Sequence, residues 1–140
     1  MRANPSYIIA EKLFGISVET SPNTSVTNNF LNRLGTGVRF FNTNAACTFT
    51  CNQMANCSRG ITLESSDIGN QGAPKQPSDN QWIYSGGFSR EADVLGKGTT
   101  PLNTPWYVRN TALPFGPAPL FIVKFGTIIP TLTVGPFNCK

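Results

Sequence analysis

A chain of 140 residues has the length of one domain and is long enough to bury about two thirds of the surface its unfolded form exposes. It contains no histidine, which removes Ser-His and Cys-His catalysis and imidazole-metal sites from consideration. Its net charge of +4 comes from basic residues spread singly (Arg33, Arg39, Arg59, Lys75, Arg90, Lys97, Arg109, Lys124), not gathered into the patch that nucleic-acid binding needs, and no apolar run reaches membrane-spanning length.

Taken in chain order, the opening "MRANPSYIIAEK" lacks the apolar core and small-residue cleavage site of a secretory signal, which fits either a chain that is not exported or a mature portion of one. Beyond it the vocabulary is that of strands and turns: 15 Thr and 10 Phe suit a pleated surface, while 13 Gly, 11 Pro and 14 Asn punctuate it. Strands are predicted over 6–10, 14–19, 37–42, 46–51, 60–64, 81–85, 104–109, 120–125 and 127–134. Between them "TSPNTSVTNN", "SSDIGNQGAPKQPSDN" and "LGKGTTPLNTP" read as surface loops, and "SREADVLG" as one helical turn. No heptad, low-complexity run or internal repeat is evident. Such spacing predicts an all-β chain, a single β-sandwich or barrel domain over 1–140.

Four cysteines, Cys47, Cys51, Cys57 and Cys139, form an even set suited to an oxidising compartment, without the paired short spacings of a zinc site. Cys47 and Cys51 on one strand would stand about 13 Å apart, too far for a bridge. "NQMAN" has the length of a hairpin loop, so the expected pairing is Cys51 with Cys57 and Cys47 with Cys139. Four reduced, buried cysteines in an intracellular chain are the alternative. Near the end, Pro130 removes a ladder donor from "GTIIPTLTV" and predicts an edge strand or a bulge there.

The phosphate-cradling and dinucleotide motifs are missing too, and no cofactor is expected. Among the seven acids, Asp79 and Asp93 are the pair a small hydrolase could use. A polar and aromatic surface is the stronger expectation. "SDNQWIY" sets Asp79, Asn80 and Gln81 beside Trp82, and "NTPWYVRN" groups Asn103, Trp106 and Tyr107. Aromatic rings pack on the apolar face of a sugar, and planar amides and carboxylates bond its hydroxyls. In a sandwich, tryptophans also commonly fill the core.

"GTGVRFFNTNAAC" and "PLFIVKFGTIIPTLTVG" are similar to stretches in the receptor-binding domains of fimbrial tip adhesins from chaperone-usher pili: a Gly-bounded strand with alternating Val and Phe before a cysteine, and a late apolar run followed by Lys, Gly and a hydrophobic-Pro stretch. The resemblance implies a β-sandwich of immunoglobulin-like or jelly-roll type, secretion with disulfide formation, and a loop-built pocket for host glycans. It also implies a following pilin domain or pilus subunit as partner. The expected function is a non-catalytic cell-surface adhesin domain for a glycan or glycoprotein receptor, with no nucleic-acid partner. The alternative is a virion, tail or fibre subunit.

Overall fold

The computed structural model describes residues 13–83, 92–97, 104–109, 122–123, 128–133 and Cys139. These contain twelve strands and no helix, so the all-β expectation holds. The pairing is not that of a sandwich of hairpins, because every pair of described strands runs parallel. The first two coils of chain each lay down three strands on three faces, and every coil then returns one rung further along.

The first face takes β1 (Phe14–Glu19), β4 (Thr36–Phe41), β7 (Arg59–Glu64), β9 (Ala92–Lys97) and β11 (Ile122–Val123), in that order. On the second face β2 (Ser25–Thr27) pairs with β5 (Thr48–Thr50), and β10 (Thr104–Arg109) with β12 (Ile128–Thr133). Gln71 links these two pairs: its Oε1 accepts the Phe49 N–H at 2.6 Å, and its backbone bridges Trp106 in parallel. The third face is β3 (Phe30–Asn32), β6 (Gln53–Ala55) and β8 (Gln81–Ile83). Parallel neighbours need a long crossover between them, and here the other two faces supply it.

The winding exposes a sequence repeat that the strand reading passed over. "FGISVE", "TGVRFF" and "RGITLE" are stacked rungs of the first face, with Phe14 opposite Thr36 and Thr36 opposite Arg59. Segments expected to be loops hold strands of the coil: β2 lies in "TSPNTSVTNN", with β3 directly after it, and β6 lies in "NQMAN". "SREADVLG" runs into strand β9, not a helical turn. The expected strand at 6–10 lies outside the described residues. Pro130 sits in β12 opposite Trp106, and among the described residues β10 is the only strand paired with β12.

Side chains alternate across each strand, and the inward set stacks by type from rung to rung. Ile16, Val38, Ile61 and Val94 form one column, Val18, Phe40 and Leu63 another, and Leu31, Met54 and Trp82 a third. Aromatic rings join the columns edge to face: Phe40 with Phe49 at 6.0 Å, Phe49 with Trp106 at 6.3 Å and Trp106 with Trp82 at 6.1 Å. Gly37 is required where coils approach most closely, since a Cβ there would lie 2.6 Å from the Gly60 carbonyl oxygen.

Corners are made by single residues in the left-handed region, repeated at matching positions: Thr20, Asn42 and Ser65; Asn23, Ala46 and Gly69; Asn28, Cys51 and Asp79; Arg33 and Asn56. At the third corner an asparagine column runs through the interior. The Asn52 Oδ1 accepts the Asn29 backbone N–H at 3.2 Å and its side-chain amide at 2.9 Å. The Asn52 Nδ2 donates to the Val26 carbonyl at 2.8 Å, the Thr50 carbonyl at 3.0 Å and the Asn80 Oδ1 at 3.1 Å, and the Asn52 backbone N–H donates to that same oxygen at 3.0 Å. Asn80 closes the column with a 2.7 Å bond from its amide to the Phe49 carbonyl. At the first corner Asn44 plays the same part, accepting the Ser21 N–H at 3.0 Å and donating to the Ser66 hydroxyl at 2.9 Å.

Buried peptide groups without partners cost about 1–3 kcal/mol each, so the columns are central to stability. Asn52→Ala is expected to lower unfolding free energy by about 2 to 4 kcal/mol in urea titration. The exposed Asn70→Ala, by contrast, is expected to stay within about 0.5 kcal/mol of the parent chain.

Candidate functional site

Alternation that sends Val26 and Phe49 inward sends Thr27, Thr48 and Thr50 outward, so β2 and β5 present a floor of hydroxyls on the second face. At the next rung the chain departs from the repeat. Phe30 pairs with Gln53, 23 residues on, whereas Gln53 pairs with Gln81, 28 residues on. The additional length is an excursion over 72–77 that rises from the sheet between Gln71 and Ser78. Its tip is a tight turn in which Ala73 and Gln76 exchange backbone hydrogen bonds of 2.8 and 2.9 Å, with Pro74 leading and Lys75 in the left-handed region.

The base of the excursion is fixed from inside. The buried Gln71 Nε2 donates to the carbonyls of Cys47 at 2.8 Å and Ile68 at 2.9 Å. Gly72 has φ 78°, and a Cβ there would lie 2.7 Å from the Gln76 carbonyl oxygen, so only glycine enters the excursion without strain. On its return Ser78 accepts the Cys51 N–H at 2.8 Å and donates its own N–H to the Tyr107 carbonyl at 2.9 Å.

Floor and excursion together enclose a groove of about 680 Å³ lined by Thr27, Asn28, Thr48, Thr50, Cys51, Asn70, Gly72, Ala73, Gln76 and Pro77. None of these side chains carries a charge. They offer hydroxyls and amides, which both donate and accept, beside small apolar patches from Ala73 and Pro77. Such a lining is suited to a neutral, hydroxyl-rich ligand.

The residues expected from sequence to bind a ligand fall elsewhere. Asn80 and Gln81 are buried, and the Asn80 amide is committed to the asparagine column. Trp82 and Trp106, 5% and 2% exposed, are core rings in contact with each other. Asp79 is a buried corner residue at 7% exposure. Tyr107 is half-buried and follows the inward Trp106, so alternation places it on the outer side of the second face, beyond the excursion. Asn103 and the side chain of Asp93 lie outside the described residues. The missed lining residues carried a signal: "SVTN" and "TFTC" put two hydroxyl residues around one apolar residue at the same place in successive coils.

The cysteine pairing differs from the one expected. Cys51 is bonded to Cys139 across 88 residues, while Cys47 and Cys57 are free and buried. The reason is that "NQMAN" is a strand and not a hairpin loop, so Cys51 sits at one corner of the coil and Cys57 at the next. The Cys47 thiol donates to the Ser21 carbonyl at 3.1 Å, and burial pushes the Cys57 thiol up from its ordinary pKa. The bridge flanks the groove at Cys51 and closes a loop worth about 4 to 5 kcal/mol in chain entropy.

On the first face, Arg39 lies over the rings of Phe14 and Phe41 and bonds Glu19 at 2.8 Å and Glu64 at 2.9 Å, tying three rungs together. Hydrogen bonding to Glu64 raises the Arg39 pKa further. No cluster of metal-ligating side chains occurs among the described residues, and no described helix is long and apolar enough to cross a membrane. Comparison with protein-family models, curated proteins and solved structures finds no match to the chain.

Native alkylation at pH 8 is expected to label no cysteine, denaturation without reductant to expose two, and reduction to expose all four, as read by intact mass. Cleavage at Met54 then separates Cys57 from Cys51. Recovery of Cys57 linked to any other cysteine would contradict the pairing.

Proposed function

We propose that this chain is a non-catalytic binding domain of the cell-surface adhesin type, and that it takes a neutral glycan in the groove on its second face. The observation that carries this is the lining itself: three threonine hydroxyls and the amides of Asn28, Asn70 and Gln76 converge on one groove without a formal charge among them. A sugar presents hydroxyls at close spacing, and a rigid β floor can meet them with little loss of side-chain freedom. Export to an oxidising compartment is supported by the Cys51–Cys139 bridge. A glycoprotein receptor and a neighbouring pilus subunit belong to the same proposal.

The test is an array of neutral and charged glycans probed with the oxidised chain. Binding is expected among neutral members. Thr50→Val, which keeps the shape and removes the hydroxyl, should weaken binding by about tenfold while leaving the urea midpoint nearly unchanged. Absence of any glycan signal from folded protein would remove the proposal.

A second reading, a structural subunit of a virion, tail or fibre, draws on the rung-by-rung stacking, in which each coil rests on its neighbours. Size-exclusion chromatography separates the two, since a fibre subunit should assemble end to end and a binding domain should elute as a discrete species.

A further inference from the structure

The groove is walled at one end along the winding axis, and this bears on what part of a glycan it can hold. Along the winding axis its floor covers two rungs, Thr27 on one and Thr48 with Thr50 on the next, about 5 Å apart. At the third rung the 72–77 excursion stands across the path. Its Ala73, Gln76 and Pro77 line the groove as an end wall, with Asn70 at its foot. Along the strand direction the floor ends at the corner made by Asn28 and Cys51, both in the left-handed region, where Cys51 is bonded to Cys139.

A polymer lying along the winding axis would have to pass through this wall. The wall is held firmly: Gln71 is anchored by three hydrogen bonds of 2.6 to 2.9 Å to Phe49, Cys47 and Ile68, the tip is closed by the Ala73–Gln76 pair, and Ser78 is bonded to both neighbouring rungs. Both ends of the wall are thus fixed to the sheet.

Resting on the glycan proposal, we infer that the groove recognises the end of a neutral glycan chain and not a stretch within it. The terminal sugar sits against the wall, where the Gln76 and Asn70 amides meet its outer hydroxyls. The next sugar lies over the threonine floor, and the rest of the chain leaves toward the Thr27 rung. Two sugars fill the groove, so further units add little.

The experiment uses linear gluco-, manno- and galacto-oligosaccharides of one to six units, the cyclic glucose hexamer that has no end, and linear chains O-methylated on the non-reducing terminal sugar. Binding to the full oxidised chain is followed by calorimetry. For the series that binds, affinity is expected to rise about tenfold or more from one unit to two and then level, with the cyclic or end-capped member at least about fiftyfold weaker. Asn70→Ala combined with Gln76→Ala should narrow the difference between free and capped ends, and replacing 73–76 by a shorter turn should abolish it. Equal affinity for free-ended and capped or cyclic chains, with Thr50→Val weakening all alike, would overturn end recognition and leave the groove as a glycan site. If no oligosaccharide binds, both the glycan proposal and this inference fail together.

Discussion

Parallel coils leave peptide groups at their corners that no straight ladder can reach, and at one corner the amides of Asn29, Asn52 and Asn80, the last two buried, meet them. An amide is the side chain suited to this task, because one end accepts and the other donates. A column of amides can therefore bond both along itself and to the turns on either side. A carboxylate would bring an unpaired charge inside, and an aliphatic chain would leave the Val26 and Thr50 carbonyls bare. Once the columns are in place, the corners are fixed and the three faces take their register from them.

From that register follow both the core and the groove. Inward positions repeat, so ring stacks upon ring and aliphatic upon aliphatic, and the tryptophans become the meeting point of three columns. Outward positions repeat as well, so two rungs of β-branched hydroxyl residues become a flat floor. The wall exists because the chain lengthens within the second face, between Gln71 and Ser78. Gln71 makes this possible by sending its side chain inward to satisfy Phe49 while its backbone hands the face over to Trp106.

The strand vocabulary was legible from composition, and β1 and β10 fall on their expected bounds, because alternation in "FGISVE" and "TPWYVR" is a local property. The direction of pairing was not, since hairpin and coil use the same short strands and the same Gly, Asn and Pro punctuation. Three-residue strands such as "SVT", "FLN" and "QMA" give too few positions to show a period of two. They become recognisable only when "NNFLN", "CNQMAN" and "DNQWI" are set beneath one another, aligned on Asn29, Asn52 and Asn80. The same alignment explains the burial of the residues expected to bind: "SDNQWIY" looks like a binding loop in isolation, and its residues 78–82 are a third copy of a buried corner. The disulfide followed the same error, because reading "NQMAN" as a turn set Cys51 opposite Cys57.

The excursion over 72–77 separates two demands that usually compete within one domain. Because the chain leaves and rejoins the sheet between Gln71 and Ser78, the bonds that hold the rungs end on either side of it. Residues 73–76 can therefore drift in length and chemistry without disturbing a column or a register, and a lineage of such chains could change the shape of the groove while its frame stays under unchanged selection. The stretch of extra residues in the middle of the second face is where diversity can accumulate.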